Sequence, residues 1–215
     1  MKLKIQNILN NALQSHIKIK QTKQKMKKLL VAGFLFIQAA TFAQTTWKND
    51  KMHSKLTFTV THLMVSDVDG LFKNFDVTIV SSKPDFSDAV FTLTADVASI
   101  NTDVEMRDND LKGAGWFDVA TYPSLTFKST SIKADGKDKY KLSGNLTIHG
   151  VTKLVTMDLL YRGTIENPMS KKSDAGFKLT GTINRADFGI GGKYPSAMVS
   201  DEVQIKADGE FAKAE

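Results

Sequence analysis

The sequence contains no cysteine. Disulfides are therefore excluded as a source of stability, whatever the redox compartment, and so is a tether through a lipid-modified N-terminal cysteine. No apolar run reaches the roughly 20 residues that a permanent membrane helix requires. The first 43 residues hold no acidic side chain. No G-x-S-x-G elbow is present. Residues 44–215 show no linker, internal repeat, low-complexity tract or long helical pattern. That stretch reads as one domain, long enough to bury a core without staples.

The N-terminal segment distorts the overall charge. Lys27 and Lys28 precede the apolar run Leu29 to Ala40 and then Thr41-Phe42-Ala43, the order of a secretory signal with a small-x-Ala cleavage site. A buried core helix fits this order less well. Met26 opens a complete signal by itself. Residues 26–43 are expected to be a signal peptide cleaved near Ala43, with residues 1–25 an upstream extension or a long n-region. The expected location is periplasmic or secreted, with Gln44 as the new N-terminus. Eight of the 29 Lys and Arg residues fall within 1–43, leaving 21 against 23 Asp and Glu. The folded part thus carries a small negative charge. No basic footprint for nucleic acid survives.

Beyond Lys51 the chain alternates with a period of two. Leu56, Phe58, Val60 and His62 share one face, with threonines on the other. The rhythm returns from Phe75 to Ile79, Ala89 to Val97, Leu125 to Phe127, Tyr140 to Ile148, Val155 to Tyr161, Phe177 to Ile183 and Val203 to Phe211. Eight half-apolar segments predict antiparallel strands with one buried face. Turns are expected at Asp69-Gly70, Ser82 to Asp85, Asp135 to Asp138, His149-Gly150 and Asn167-Pro168. A short helix is expected over Asp103 to Lys112, and an irregular connection over Ala186 to Ser200. The predicted fold is all-β: two packed sheets or, alternatively, a closed eight-stranded antiparallel barrel would hide the apolar faces. The barrel's interior is either filled by side chains, with Gly144, Gly181 and Gly209 relieving crowding, or open to one ligand. The alternation leaves both readings standing.

The motifs themselves resemble those of the YceI-like family. They run in order through Asp50 to His62 (DKMHSKLTFTVTH), Gly70-Leu71-Phe72, Ser99 to Asp103 (SINTD) and Arg107 to Leu111 (RDNDL). They continue through Trp116-Phe117-Asp118, Tyr122 to Ser129 (YPSLTFKS), Gly144 to Lys153 (GNLTIHGVTK) and Asn184 to Gly189 (NRADFG). The resemblance implies an extended lipocalin-like barrel whose channel takes a polyisoprenoid or related acyl chain. Two positions depart from the family pattern: Asp110, where a His is common, and Trp116, where Phe is usual. The candidate channel lining is Phe58, Val60, His62, Phe75, Ile79, Leu93, Val97, Phe117, Phe127, Leu146, Met157, Leu159, Phe177 and Phe188.

Other constellations carry less. Arg107 with Asp108, and Arg185 with Asp187, lie in the two irregular connections, where they either pin the loops by charge-assisted hydrogen bonds or meet a lipid head group. His53 beside Ser54 and Asp50 suggests a hydrolase, but neighbouring strand residues point to opposite faces. A metal site wants three or four converging ligands, and His53, His62 and His149 are not spaced for one. The run Gly189 to Gly192 lacks the setting of a phosphate loop. No cofactor, metal or catalytic residue is expected. The expected partner is a long-chain apolar lipid, such as a polyisoprenoid or quinone tail, held for sequestration or transport. The alternatives are a ligand-free structural or stress-response barrel, and a hydrolase or isomerase using His53, His62 or Asp50. Transient contact with a membrane surface and a homodimer stay open.

Overall fold

A computed structural model describes residues 43–214, together with residues 14, 15, 16, 18, 20 and 23. Apart from Ala43, the expected signal peptide lies outside the described residues. The strands are β1 (Thr45–Asn49), β2 (Lys55–His62), β3 (Ser66–Phe72), β4 (Phe75–Ser81), β5 (Val90–Asp96), β6 (Ile100–Asn101), β7 (Ser124–Ala134), β8 (Lys139–Ile148), β9 (Val151–Glu166), β10 (Ser173–Asn184) and β11 (Glu202–Lys213). A helix, α1 (Glu105–Lys112), crosses between β6 and β7.

All strand pairings are antiparallel, and eight strands close a ring in the order β1-β4-β5-β7-β8-β9-β10-β11 and back to β1. The expected barrel is therefore present. Strand β1 is the closing stave, pairing Trp47 with Ile79 of β4 on one side and with Lys213 of β11 on the other. It covers only part of the β11 edge. Past Asn49 the chain loops out and resumes along the same edge as β2, which pairs Lys55 to Thr59 with Asp208 to Gln204. The β2–β3 hairpin thus extends the wall beyond β1, and the far edge of β3 holds only the two-residue β6.

Alternation builds the interior. In β8, Tyr140, Leu142, Gly144, Leu146 and Ile148 are buried while Lys139, Lys141 and Asn145 face water. One end of the barrel is solid. The ring of Phe86 lies 5.3 Å from that of Trp47, 5.1 Å from Tyr161 and 5.0 Å from Phe177, which in turn sits 5.5 Å from Phe91 and 5.6 Å from Phe211. Phe86 enters this cluster from the β4–β5 connection with a φ of 59°, a conformation a bulky side chain rarely takes unless packing holds it there. It is fully buried.

One expected turn is overturned. Asp69-Gly70 lies within β3, and the chain reverses earlier, over Leu63 to Val65. Gly70 is there for room: a Cβ on it would come within 2.2 Å of the Phe58 ring. The His149-Gly150 turn matches expectation, with φ of 52° and 72° joining the paired residues Ile148 and Val151, the geometry of a two-residue hairpin turn.

Candidate functional site

Between the aromatic floor and the opposite end lies a cavity of about 400 Å³, within the roughly 300–1,000 Å³ usual for small-ligand sites. Its walls are inward side chains of the staves: Phe58 and Val60 of β2, Phe75 and Val77 of β4, Leu93 of β5, Phe127 of β7, Leu146 of β8, Met157 and Leu159 of β9, and Ile205 of β11. Phe177 and Phe211 belong both to the floor and to the wall. Met157 lies against β10 where a side chain is missing, for a Cβ on Gly181 would meet its sulfur at 2.0 Å. Polar groups line it at both ends of β2: His62, Thr102, Arg107, Asp110, Trp116, Arg185 and Tyr194 at the mouth, and Ser54, Lys55, Thr57 and Asp208 where β2 begins.

Eleven of the expected lining residues face this space: Phe58, Val60, His62, Phe75, Leu93, Phe117, Phe127, Leu146, Met157, Leu159 and Phe177. Three do not. Ile79 is wholly buried at the level of the floor, paired with Trp47 on one side and Phe91 on the other. Val97 has left the strand for a 3₁₀ turn, Val97–Ser99, where its N–H donates to Pro123 O at 3.0 Å. Phe188 is buried in a second 3₁₀ turn, Arg185–Phe188. Each packs solid protein, so none is part of the cavity wall. Lining residues outside the expected set include Val77, Ile205 and Phe211, which the alternation does place on inward faces, and Trp116, Tyr194, Met198 and Val199. Tyr194, Met198 and Val199 sit in an irregular loop with no period to read. Trp116 reads from the resemblance as a conservative change in an apolar wall, and it does line the cavity.

The two mouth loops are pinned from within. Arg107 donates from Nε to Thr102 Oγ1 at 2.8 Å and from Nη2 to Thr102 O at 2.7 Å. Asp108 is buried and accepts from Thr102 N at 2.8 Å and Thr102 Oγ1 at 2.6 Å. Together they clamp α1 onto the residue following β6. Arg185 does more. Its buried guanidinium donates to the carbonyls of Ser200, Ile190, Gly191, Tyr194 and Val199 at 2.8–3.1 Å and pairs with Asp201 at 2.9 Å. A single planar fork with five N–H donors thereby holds the whole loop from residue 190 to 201. Asp187 is exposed and makes none of these contacts, so of the two loop-pinning candidates in this connection Arg185 alone does the pinning.

The hydrolase constellation meets only in part. His53 Nδ1 lies 2.7 Å from Asp50 Oδ2. This hydrogen bond, with that from Met52 N, holds the Asp50 carboxyl below its ordinary value; the same bond and the charges of Asp50 and Glu210 raise His53. Ser54 Oγ turns away and donates to Glu210 O at 3.4 Å, so it is not aligned with the imidazole. His62 is at the other end of β2, and His149 faces Phe188 O at 3.3 Å. Asp50, His53 and Glu210 each place one potential ligand atom within 4.8 Å of the others, on the surface outside the cavity wall.

Comparison with known proteins agrees with this architecture. The model of the family described as YceI-like domain matches residues 47–211. The UPF0312 protein SA2479 of Staphylococcus aureus is 37% identical over 175 residues, covering 80% of this chain and 99% of its own. Among solved structures, BcnA of Burkholderia cenocepacia superposes with a TM-score of 0.65 at 30% identity, over 78% of this chain and 99% of that one. A polyisoprenoid-binding domain of Saccharophagus degradans shares the fold at 17% identity, with a TM-score of 0.60 over 79% of this chain and 98% of its own.

Proposed function

The chain belongs to the YceI-like domain family, and from that premise we propose that it is an exported binding protein that holds a long apolar chain, a polyisoprenoid or quinone tail, for sequestration or transport. One observation carries the reading. The barrel keeps about 400 Å³ unfilled inside walls of Phe, Leu, Val, Ile and Met, closed by an aromatic floor and ringed by polar groups at the other end. A long tail fits the apolar walls, and a polar end fits the ring at the mouth. The ligand class named for the Saccharophagus degradans domain has this chemistry.

The energetics are sufficient. Removing on the order of 500 Å² of apolar ligand surface from water at ~25 cal/mol/Å² contributes about 12 kcal/mol gross. Association and ordering cost several kcal/mol, which leaves useful affinity. No catalytic group is required, and neither Asp50 nor His53 lines the cavity. Export rests on the basic, apolar and small-x-Ala order of residues 27–43.

Organic extraction of purified protein followed by mass spectrometry tests the binding reading. A long-chain lipid at about one per barrel is expected; protein that neither carries nor takes up such a lipid overturns it. Intact mass of the exported form tests the leader, with a chain beginning at or near Gln44 expected. Retention of residues 1–43 refutes export by cleavage.

A further inference from the structure

The turn between β2 and β3 is built from the wrong residues for its shape. Leu63 and Met64 both have left-handed backbones, with φ of 50° and 59°, and Val65 N closes the turn on His62 O at 3.1 Å. Two consecutive left-handed residues at a hairpin tip call for Asn-Gly, because only small or locally hydrogen-bonding residues take that region cheaply. Here the positions hold two large apolar side chains followed by a β-branched one. All three face water, at 49% exposure for Leu63, 75% for Met64 and 82% for Val65. Unfavourable backbone and unfavourable exposure coincide on the same residues.

The tip is fastened to the cavity mouth. Leu63 N donates to Met198 O at 2.9 Å, and His62 bridges to Val199. His62, Met198 and Val199 all line the cavity, and Met198 is itself 44% exposed. The apolar tip is therefore continuous with the rim through which a ligand would pass. From Leu56 to Phe72 there is no Lys or Arg. The nearby Asp67 and Asp69 are engaged by Thr61 at 2.9 Å and Thr59 at 2.6 Å. A second copy of the chain is a poor occupant: a stable dimer buries about 800 Å² per partner, more than four side chains on a convex tip supply.

We propose that the Leu63–Val65 tip inserts into the apolar layer of a lipid bilayer and seats the cavity mouth on the membrane that supplies or receives the cargo. This rests on the apolar-cargo reading above. Binding is driven by apolar side chains entering the acyl boundary, so it needs no anionic lipid and is insensitive to salt.

The test uses the delipidated protein with phosphatidylcholine vesicles, with and without phosphatidylglycerol. The key variant is Leu63→Asn/Met64→Gly, which supplies the residues the turn prefers. Its thermal midpoint should stay level or rise, while co-sedimentation with either vesicle falls by at least about tenfold. A second variant, Met64→Ser/Val65→Ser, leaves Leu63 in place and should show the same loss. Polyisoprenoid loading from vesicles should slow in both variants, and loading from detergent solution should stay as in the parent. Parent protein that ignores vesicles, or variants that bind them as the parent does, overturns the proposal. A parent dimer that dissociates in the variants assigns the tip to a second copy and overturns it too. Vesicle binding that depends on the tip, with no lipid loaded by either route, supports docking and refutes the cargo reading alone.

Discussion

The indole Nε1 of Trp116 donates a hydrogen bond to Asp110 Oδ2 at 3.1 Å. Both positions are among the departures from the family resemblance, and the structure joins them at the cavity mouth. The indole also stacks on Tyr194, ring centres 4.6 Å apart and planes inclined by 22°, with the Arg185 guanidinium 6.0 Å from its centroid. A Trp in place of Phe adds one N–H donor, and an Asp in place of His supplies a carboxylate to accept from it. Trp116→Phe and Asp110→Ala should therefore be non-additive, with a coupling of about 1 kcal/mol. Denaturation midpoints of the two single variants and the double variant measure it. Additivity within 0.3 kcal/mol, about the experimental scatter, would show that the two departures are independent.

The two arginine clamps differ in depth, and their removal should differ in cost. Arg107→Ala gives up two hydrogen bonds from a half-buried group and should cost about 1–3 kcal/mol. Arg185→Ala leaves five loop carbonyls and the Asp201 carboxylate without their partner, and should cost about 3–5 kcal/mol. Arg185→Lys should recover little, since a point ammonium with three donors cannot reproduce the fork. Urea midpoints and hydrogen exchange across residues 190–201 report both effects. A midpoint unmoved by Arg107→Ala would free that residue for a head-group role.

The barrel was legible where alternation runs long. From Tyr140 to Ile148 and from Val203 to Phe211 each buried position was read correctly, because period two over nine or more residues has no rival. Strand β1 was not legible: in TTWKN only Trp47 is buried, and five residues cannot establish a period. The hairpin tip was misread for a physical reason. Asp69-Gly70 carries turn residues, but Gly70 yields space to Phe58, while the actual turn is forced on Leu63 and Met64. Ile79 and Val97 continue apolar faces in the sequence, yet one is packed at the level of the aromatic floor and the other lies beyond the end of its strand. Alternation tells inside from outside. It does not tell how far along the barrel the filling stops.

Acid should weaken the β4–β5 connection through one carboxylate. Asp88 accepts hydrogen bonds from Ser81 Oγ at 2.5 Å, from Ser82 N at 3.0 Å and Oγ, and from Lys83 N at 3.2 Å. Burial works against its charge, but these donors outweigh it and hold the pKa down to about 2, from an ordinary 3.8. A lowered folded-state value means that the ionised form stabilises the fold. That contribution is complete above the unfolded value near 4 and is lost as pH falls through about 2. Asp88→Asn should therefore cost about 1–2 kcal/mol at pH 7, allowing for partial exposure, and most of the gap from the parent should be gone by about pH 2. A gap undiminished at about pH 2 would assign the loss to packing.

Met157 separates an open cavity from a packed core. Its side chain faces the cavity from β9, lies against Gly181 of β10 and is nearly buried. In a close-packed interior, Met157→Trp would force neighbours off their rotamers at roughly 1–3 kcal/mol or more. Beside the unfilled 400 Å³ the indole can extend into space that the ligand occupies, so the stability of delipidated protein should change by less than about 1 kcal/mol. Bound lipid should fall sharply on the same preparation, because the added ring takes the room its tail needs. The two measurements are the denaturation midpoint after delipidation and the lipid-to-protein ratio after exposure to polyisoprenoid. Gly181→Ala is the control, since its Cβ presses on the Met157 sulfur from the wall side and must displace it in either case. A large loss of stability in Met157→Trp with unchanged lipid would place Met157 in the core and move the binding site to other staves.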